Sequence, residues 1–160
     1  MKCDVYEYRD KTAFPVKIEY SFLNDTFRVA AFHPSENRFF MMTLDTMRNV
    51  RGGQEHIECI QKEYESFLQK SKKRALLDVE PVGHVIERCF RIFSYFERKA
   101  VYNKEDDKYR LEIKYSFFDE AEVIRNILSL GSSVVVLEPL VLQKKIHERI
   151  IKAANMYGAS

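Results

Sequence analysis

Apolar and polar residues alternate with a period of two over 110–115, where Leu111, Ile113 and Tyr115 are interleaved with Arg110, Glu112 and Lys114. That period belongs to a half-buried β-strand. The period then changes to that of a helix, with Ala121, Ile124, Ile127 and Leu128 on one stripe. Asp119 followed by Glu122 reads as an N-cap with a capping-box partner, and Gly131 as the left-handed residue that ends the helix. Val134, Val135, Val136 and Leu137 form an unbroken apolar run, which predicts a strand paired inside a sheet and buried on both faces. Pro139 stops that strand and suits the first turn of a closing helix, whose stripe is Leu142, Ile146, Ile150, Ala153 and Tyr157.

Upstream of this unit, 76–80 is a short apolar strand and Pro81-Val82-Gly83 a turn. Val82, Val85, Ile86, Cys89, Phe90, Phe93 and Phe96 then share one helical face. Residues 100–104 read as a strand and Glu105-Asp106-Asp107 as a polar turn. The order over 76–138 is therefore βαββαβ, the ferredoxin-like pattern, followed by a C-terminal helix.

The first third of the chain reads as β throughout. Val5, Tyr6 and Tyr8 suggest a short strand. Phe14, Val16, Ile18 and Tyr20 alternate with Lys17, Glu19 and Ser21 in a second. Asn24-Asp25 turns into a third carrying Phe27, Val29 and Ala31, and residues 38–44 form a fourth after the loop 33–37. Four short strands suggest a small barrel or curled sheet that barely closes. Gly52-Gly53 marks a break before a helix over 54–73 with a narrow stripe of Ile57, Ile60, Tyr64, Phe67 and Leu68. Its basic end, KSKKR at 70–74, reads either as a phosphate-binding patch or as cations at the negative end of a helix dipole. The expected division is a β module over 1–53, a linker helix over 54–74 and a ferredoxin-like extension over 75–160.

Composition narrows the class without naming a partner. The 160 residues are 46% hydrophobic and 13% aromatic, sufficient for a packed core. With 26 basic and 24 acidic residues the net charge is +2, which selects no partner by itself. No run is long enough to span a membrane, and the N-terminus does not open like a signal peptide. Cys3, Cys59 and Cys89 have no metal spacing, so they read as reduced thiols of a cytoplasmic protein, with Cys89 packed in a core. His33, His56, His84 and His147 form no ligand motif, and the His84/Glu87 pair reads as a solvated helix face. No nucleophile elbow, phosphate loop or dinucleotide fingerprint is present. The expectation is a non-catalytic protein with no cofactor and no metal.

The segment 14–50 resembles the later part of a WYL domain. Pro15, Lys17, Ile18 and Tyr20 match its Pro-x-Lys/Arg-Ile-x-Tyr strand, Phe27-Arg28-Val29 fall on its name-giving triplet, and Arg38 with Leu44-Asp45-Thr46-Met47 fall on its closing strand. Residues 108–157 resemble the C-terminal extension of the same regulators, through Ile127-Leu128-Ser129-Leu130-Gly131, the Val-rich strand and Glu138-Pro139. The resemblance implies an α+β fold, a small Sm/SH3-like β module followed by a linker helix and a ferredoxin-like extension. It also implies a bacterial transcriptional regulator that binds a nucleotide or nucleic-acid ligand. The winged helix-turn-helix that usually precedes the β strands is not in this sequence. Thr46 stands where the family has Arg, with Arg28 and Arg48 as nearby sources of charge.

Face arithmetic gives a candidate site. Lys17 and Arg28 lie opposite the apolar faces of their strands and Arg38 opens the next, so three cations on adjacent strands can converge on phosphate. Tyr20 or Phe40 offers a stacking face, and Arg48 completes the ligand-binding set. The competing expectation is that Lys17 pairs with a neighbouring carboxylate and Arg28 edges the sheet. Two functions stay open: a sensor of a nucleotide or short single-stranded nucleic acid, or a protein-interaction module with no small ligand. In either case a homodimer is expected, because a four-stranded module leaves an open edge. No sequence-specific binding to duplex DNA is expected from this chain alone.

Overall fold

The alternation and turn residues of the first third produce three strands, β1 (Phe14–Ser21), β2 (Thr26–His33) and β3 (Arg38–Thr43), in an antiparallel sheet of order β1-β2-β3. The computed structural model describes residues 13–21, 24–52 and 60–158, so the expected strand at 5–8, Cys3, His56, Ile57 and Cys59 lie outside the described residues. The chain divides into two compact units, 1–70 and 71–160.

In the first unit the strands turn at Asp25 and Asn37, both left-handed (φ 49° and 47°), a conformation these short polar side chains tolerate. β1 does not keep one alternation from Phe14 to Tyr20. A register shift between Pro15 and Lys17 places an extra residue at Val16. Beyond it, Lys17 sits opposite Ala30, Ile18 opposite Val29, Glu19 opposite Arg28 and Tyr20 opposite Phe27. Lys17, Glu19, Arg28 and Ala30 therefore share one face, and Ile18, Tyr20, Phe27 and Val29 the other. Helix α1 (Ile60–Lys70) belongs to this unit, with the rings of Tyr64 and Phe67 5.3 and 5.2 Å from that of Phe39. The helix does not reach residue 73 as its charge pattern suggested. Lys70 ends the helix while Lys73 and Arg74 open the next strand, so the basic run is split between the two elements.

The second unit contains β4 (Lys73–Val79), α2 (Val85–Ile92), β5 (Glu97–Asn103), β6 (Lys108–Tyr115), α3 (Glu120–Ser129), β7 (Val134–Glu138) and α4 (Leu140–Met156). Its four antiparallel strands take the order β5-β6-β4-β7, the ferredoxin-like arrangement expected from the βαββαβ order. Ala75, Leu77 and Val79 of β4 and Leu111, Ile113 and Tyr115 of β6 point to one face. They are covered there by Val85, Cys89 and Phe93 around α2, by Val123, Ile124 and Ile127 of α3, and by Leu142 and Ile146 of α4. The whole chain is α+β, two antiparallel sheets with helices.

Three local expectations are corrected here. β7 pairs with β4 alone among the described strands, so it lies at the edge of the sheet, not inside it. Val134 and Val136 face the core, while Val135 is half exposed. Asp119 makes no side-chain cap hydrogen bond, because Phe117–Asp119 tightens into a 3-10 turn and the Asp119 carboxylate accepts from Ser116 Oγ at 2.6 Å. α2 is shorter than its apolar pattern: Val82 precedes it and is exposed, while Phe93 and Phe96 follow its end. Gly131, at φ 72°, stands just beyond α3, where its left-handed backbone carries no Cβ penalty.

Candidate functional site

Glu19 joins two of the expected cations on one face of the sheet. It lies directly across from Arg28 and two residues from Lys17 on the same side of β1. Its carboxylate takes Lys17 Nζ at 3.2 Å on Oε1 and Arg28 Nη2 at 3.3 Å on Oε2. Arg28 is held in the central strand with its side chain 17% exposed, whereas that of Lys17 is 57% exposed. The Lys17 pair is open to water on the lysine side and worth only about 0–1 kcal/mol, whereas the Arg28–Glu19 pair is part-buried. Arg28 does not edge the sheet, since β2 lies between β1 and β3.

The other expected residues take different places. Tyr20 is on the opposite face, its ring 5.1 Å from that of Phe27 in an edge-on contact and its hydroxyl bonded to Asp25. That hydrogen bond to the Asp25 carboxylate raises the Tyr20 phenol above its ordinary value. Ile18 and Phe27 beside it are 62% and 50% exposed, so this side of the sheet offers an apolar, aromatic surface to solvent. Arg38 pairs in register with His33, on the Tyr20 side and at the other end of the sheet, and its Nε is bonded to Glu36. The three cations thus do not converge: Lys17 and Arg28 meet, and Arg38 is on the other face. Phe40 lies on the Arg38 face, 6.1 Å from the His33 ring. Arg48 folds back on its own turn, donating to the carbonyls of Asp45 and Met47 at 2.8 and 2.9 Å. Thr46 caps that turn by donating to the Thr43 carbonyl at 2.7 Å.

The second unit has its own charged surfaces. On the sheet face away from the helices, Arg74 reaches Glu112 (3.2 Å) and Glu138 (2.7 Å), Lys114 reaches Glu97 (2.6 Å), and Asp78 holds Lys108 (3.3 Å) and Arg110. Cations and anions alternate there as a paired lattice, so this face lacks the one-sign field that gathers phosphates. At the other end of β4, Glu120 is gripped by Lys73 and Lys145. Burial works against its charge, but the hydrogen bonds from Lys145 and Lys73 outweigh it and hold the carboxyl below its usual range. Sequence reading missed this cluster because its members are 47 and 25 residues from Glu120, with no local signal linking them. Among the described residues no group of three or more metal-ligating side chains comes together, and His84 and Glu87 lie exposed with 3.6 Å between them. No helix among the described residues is long and apolar enough to cross a membrane.

A βαββαβ sheet whose open face carries paired charges, joined to a separate small β unit, defines a modular α+β protein. The WCX domain model matches residues 74–154, and the chain belongs to that family, the WYL-associated extension whose features were recognised over 108–157. It is a regulatory module of the WYL family. Among solved structures, proteasome accessory factor B/C (PafBC) of Arthrobacter aurescens is similar over 84% of this chain and 21% of its own, at 14% identity and a TM-score of 0.45. The chain thus spans about a fifth of that protein's length. No curated protein sequence matches.

Proposed function

We propose that this chain is the ligand-sensing part of a bacterial WYL-type transcriptional regulator, non-catalytic and cytoplasmic, which binds a nucleotide or a short single-stranded nucleic acid. The observation that carries this reading is the Lys17–Glu19–Arg28 cluster, two cations brought to one face of the sheet beside Glu19. A phosphate offers Arg28 a bidentate partner in place of Glu19. A strand lying along β1 meets Lys17 on one side and Tyr20 with Phe27 on the other, phosphate to the cations and base to the rings.

The test is titration of a fluorescent short single-stranded oligonucleotide at several salt concentrations, with the wild-type chain and with Lys17→Ala and Arg28→Ala. Each substitution lowers affinity and flattens the salt slope, by about one unit for a cation that contacts phosphate. A duplex of any sequence binds no better than non-specifically. Equal binding by the wild type and both variants moves the site elsewhere. Absence of binding at low salt leaves the second reading, a self-association module without a small ligand. That reading rests on α4, whose last turns expose Ile150, Ile151 and Met156.

A further inference from the structure

The hydroxyl of Tyr115 is buried in the second unit with no hydrogen-bond partner among the described residues, and the residue as a whole is 3% exposed. A buried hydroxyl that makes no hydrogen bond costs free energy, and in a native core it calls for a reason. Its surroundings supply one. Tyr115 ends β6 directly across from Lys73, the first residue of β4, and both lie on the helix-covered face of the sheet. Lys73 pairs with Oε2 of Glu120 at the start of α3, and Lys145 of α4 takes the other oxygen, Oε1. The Glu120 charge also reaches Tyr115, adding to the burial that holds the phenol above its ordinary range. The carboxylate thus stands near a hydroxyl from which it does not accept, because both of its oxygens are turned to lysines.

The lysines are the accessible part of this cluster. Their side chains are 34% and 44% exposed, against 18% for Glu120. Each holds one oxygen of the same carboxylate, so the two ammonium groups are spaced to grip two oxygens of one small anion arriving from solvent. The cluster lies at the N-terminal end of α3, whose dipole favours negative charge, and the acidic Asp119 beside it is turned to Ser116. Lys73 Nζ also stands 4.9 Å from the centre of the half-exposed Phe117 ring, which offers a flat group a face to rest on next to the lysines. An anion that takes both lysines releases Glu120, and the Tyr115 hydroxyl can then donate to the freed carboxylate in a charge-assisted hydrogen bond. Glu120 is paired in either arrangement, whereas the hydroxyl is satisfied in the second alone. A terminal phosphate suits the exchange better than a carboxylate or a phosphodiester, because it carries about −1.5 to −2 charge at pH 7 and so matches two ammonium groups.

We propose that Lys73 and Lys145 form a binding site for a dianionic phosphate group, with Glu120 as its resident counter-ion and Tyr115 as the partner that receives Glu120 when the phosphate binds. The shared chemistry is the dianionic phosphate, whether inorganic phosphate or the terminal group of a nucleoside monophosphate, and stacking on Phe117 separates the two sources. The site lies within the second unit and does not depend on any ligand at Lys17 and Arg28.

Isothermal titration calorimetry at low ionic strength tests it, on the full chain carrying Lys17→Ala and Arg28→Ala so that the first unit does not contribute. The probes are inorganic phosphate, adenosine monophosphate and a dinucleoside phosphodiester. The two dianions bind, and the diester binds at least about tenfold more weakly. Lys73→Gln or Lys145→Gln lowers affinity at least about tenfold, while Lys73→Arg and Lys145→Arg, which keep the charge, retain binding. Glu120→Gln removes the competing charge and raises affinity about threefold or more. Tyr115→Phe lowers affinity about threefold although the phosphate does not touch the hydroxyl, a change to which two lysines acting alone would not respond. With a nucleotide as the source, Phe117→Ala weakens adenosine monophosphate and leaves inorganic phosphate unchanged; equal affinity for the two dianions assigns the site to free phosphate. Circular dichroism checks that each variant keeps its fold. No binding of either dianion, or binding indifferent to Lys73→Gln and Lys145→Gln, overturns the site. Binding that needs the lysines but ignores Tyr115→Phe overturns the transfer of Glu120. None of these outcomes bears on oligonucleotide binding by Lys17 and Arg28, which is measured with those residues in place.

Discussion

Cys89 and Tyr115 are the two buried acids of the second unit's core, and both are held in their neutral form. Burial pushes the Cys89 thiol from 9.0 up to about 11, against the pull of the neighbouring Arg88. Burial pushes the Tyr115 phenol from 10.0 up to about 12, with the Glu120 carboxylate adding to the effect. The unfolded chain releases these protons at lower pH than the folded one, so it binds fewer protons above pH 9 and stability falls as pH rises. Full stability holds below the ordinary values and is lost through the raised ones. The Cys89 contribution falls by at most about 1.4 kcal/mol per pH unit. The urea midpoint of the wild type should begin to drop near pH 9, whereas in Cys89→Ala the drop should start about one unit higher, where Tyr115 takes over. Identical pH dependence in the two proteins would show that the thiol is not a buried acid in the fold. Burial of Cys89 was legible from the helical spacing of Val85, Cys89 and Phe93. The Tyr115 ring was legible as core from its alternation, but no pattern along the chain could place its hydroxyl beside Glu120.

At the scale of elements, the patterns that identify strands and helices depend on neighbours along the chain and carry little about neighbours in space. β4 to β7 and α2 to α4 were all readable as elements, and so was their order. The edge position of β7 was not. An apolar run such as Val134 to Leu137 reports a hydrophobic surround, yet here only alternate residues reach the core and Val135 faces outward. The capping box failed for a related reason: Phe117 and Phe118 draw the entry to α3 into a tight turn, so Asp119 is spent on Ser116. The N-terminus of α3 is anchored instead by Glu120, which ties β4 through Lys73 and α4 through Lys145. Because both lysines are a third or more exposed, their grip is worth less than a buried pair. Glu120→Ala should lower stability by about 1 kcal/mol at neutral pH. The folded carboxyl is held below its usual range, so this contribution is present above the ordinary glutamate value and vanishes as pH falls through the folded one. Urea melts at pH 7 and near pH 3 check it: the difference between wild type and variant should close at the lower pH. A gap that persists undiminished in acid would assign the loss to packing and not to charge. The candidate site shows the same limit. Strand faces put Lys17 and Arg28 together correctly, but Arg38 went to the other face because a residue's side depends on register across the hairpin and not on its place at a strand end.

For the molecule as a whole, the described residues of the two units differ in how much apolar surface they enclose. In the second, Leu77, Phe93, Leu111, Ile113, Ile127 and Leu142 are almost completely removed from water and belong to one continuous cluster. In the first, the buried apolar residues among those described are Val29, Ala30, Ala31 and Tyr64, three of them small and adjacent in β2. A fully buried Leu or Phe side chain contributes about 1.5–3 kcal/mol, and among the described residues of the first unit several such contributions are missing. Local opening follows that difference, since segments with few buried contacts open below the free energy of global unfolding. Amides of β1 to β3 should therefore exchange with solvent at least about 100-fold faster than those of β4 and β6, equivalent to about 2.8 kcal/mol. Phe93→Ala should cost about 3–5 kcal/mol and bring the protection of β4 and β6 down by several orders of magnitude, while leaving β1 to β3 nearly unchanged. Hydrogen exchange read by mass spectrometry on the intact chain measures both. Equal protection of the two sheets in the wild type, or their joint loss in Phe93→Ala, would mean that 1–70 and 71–160 open as one cooperative body.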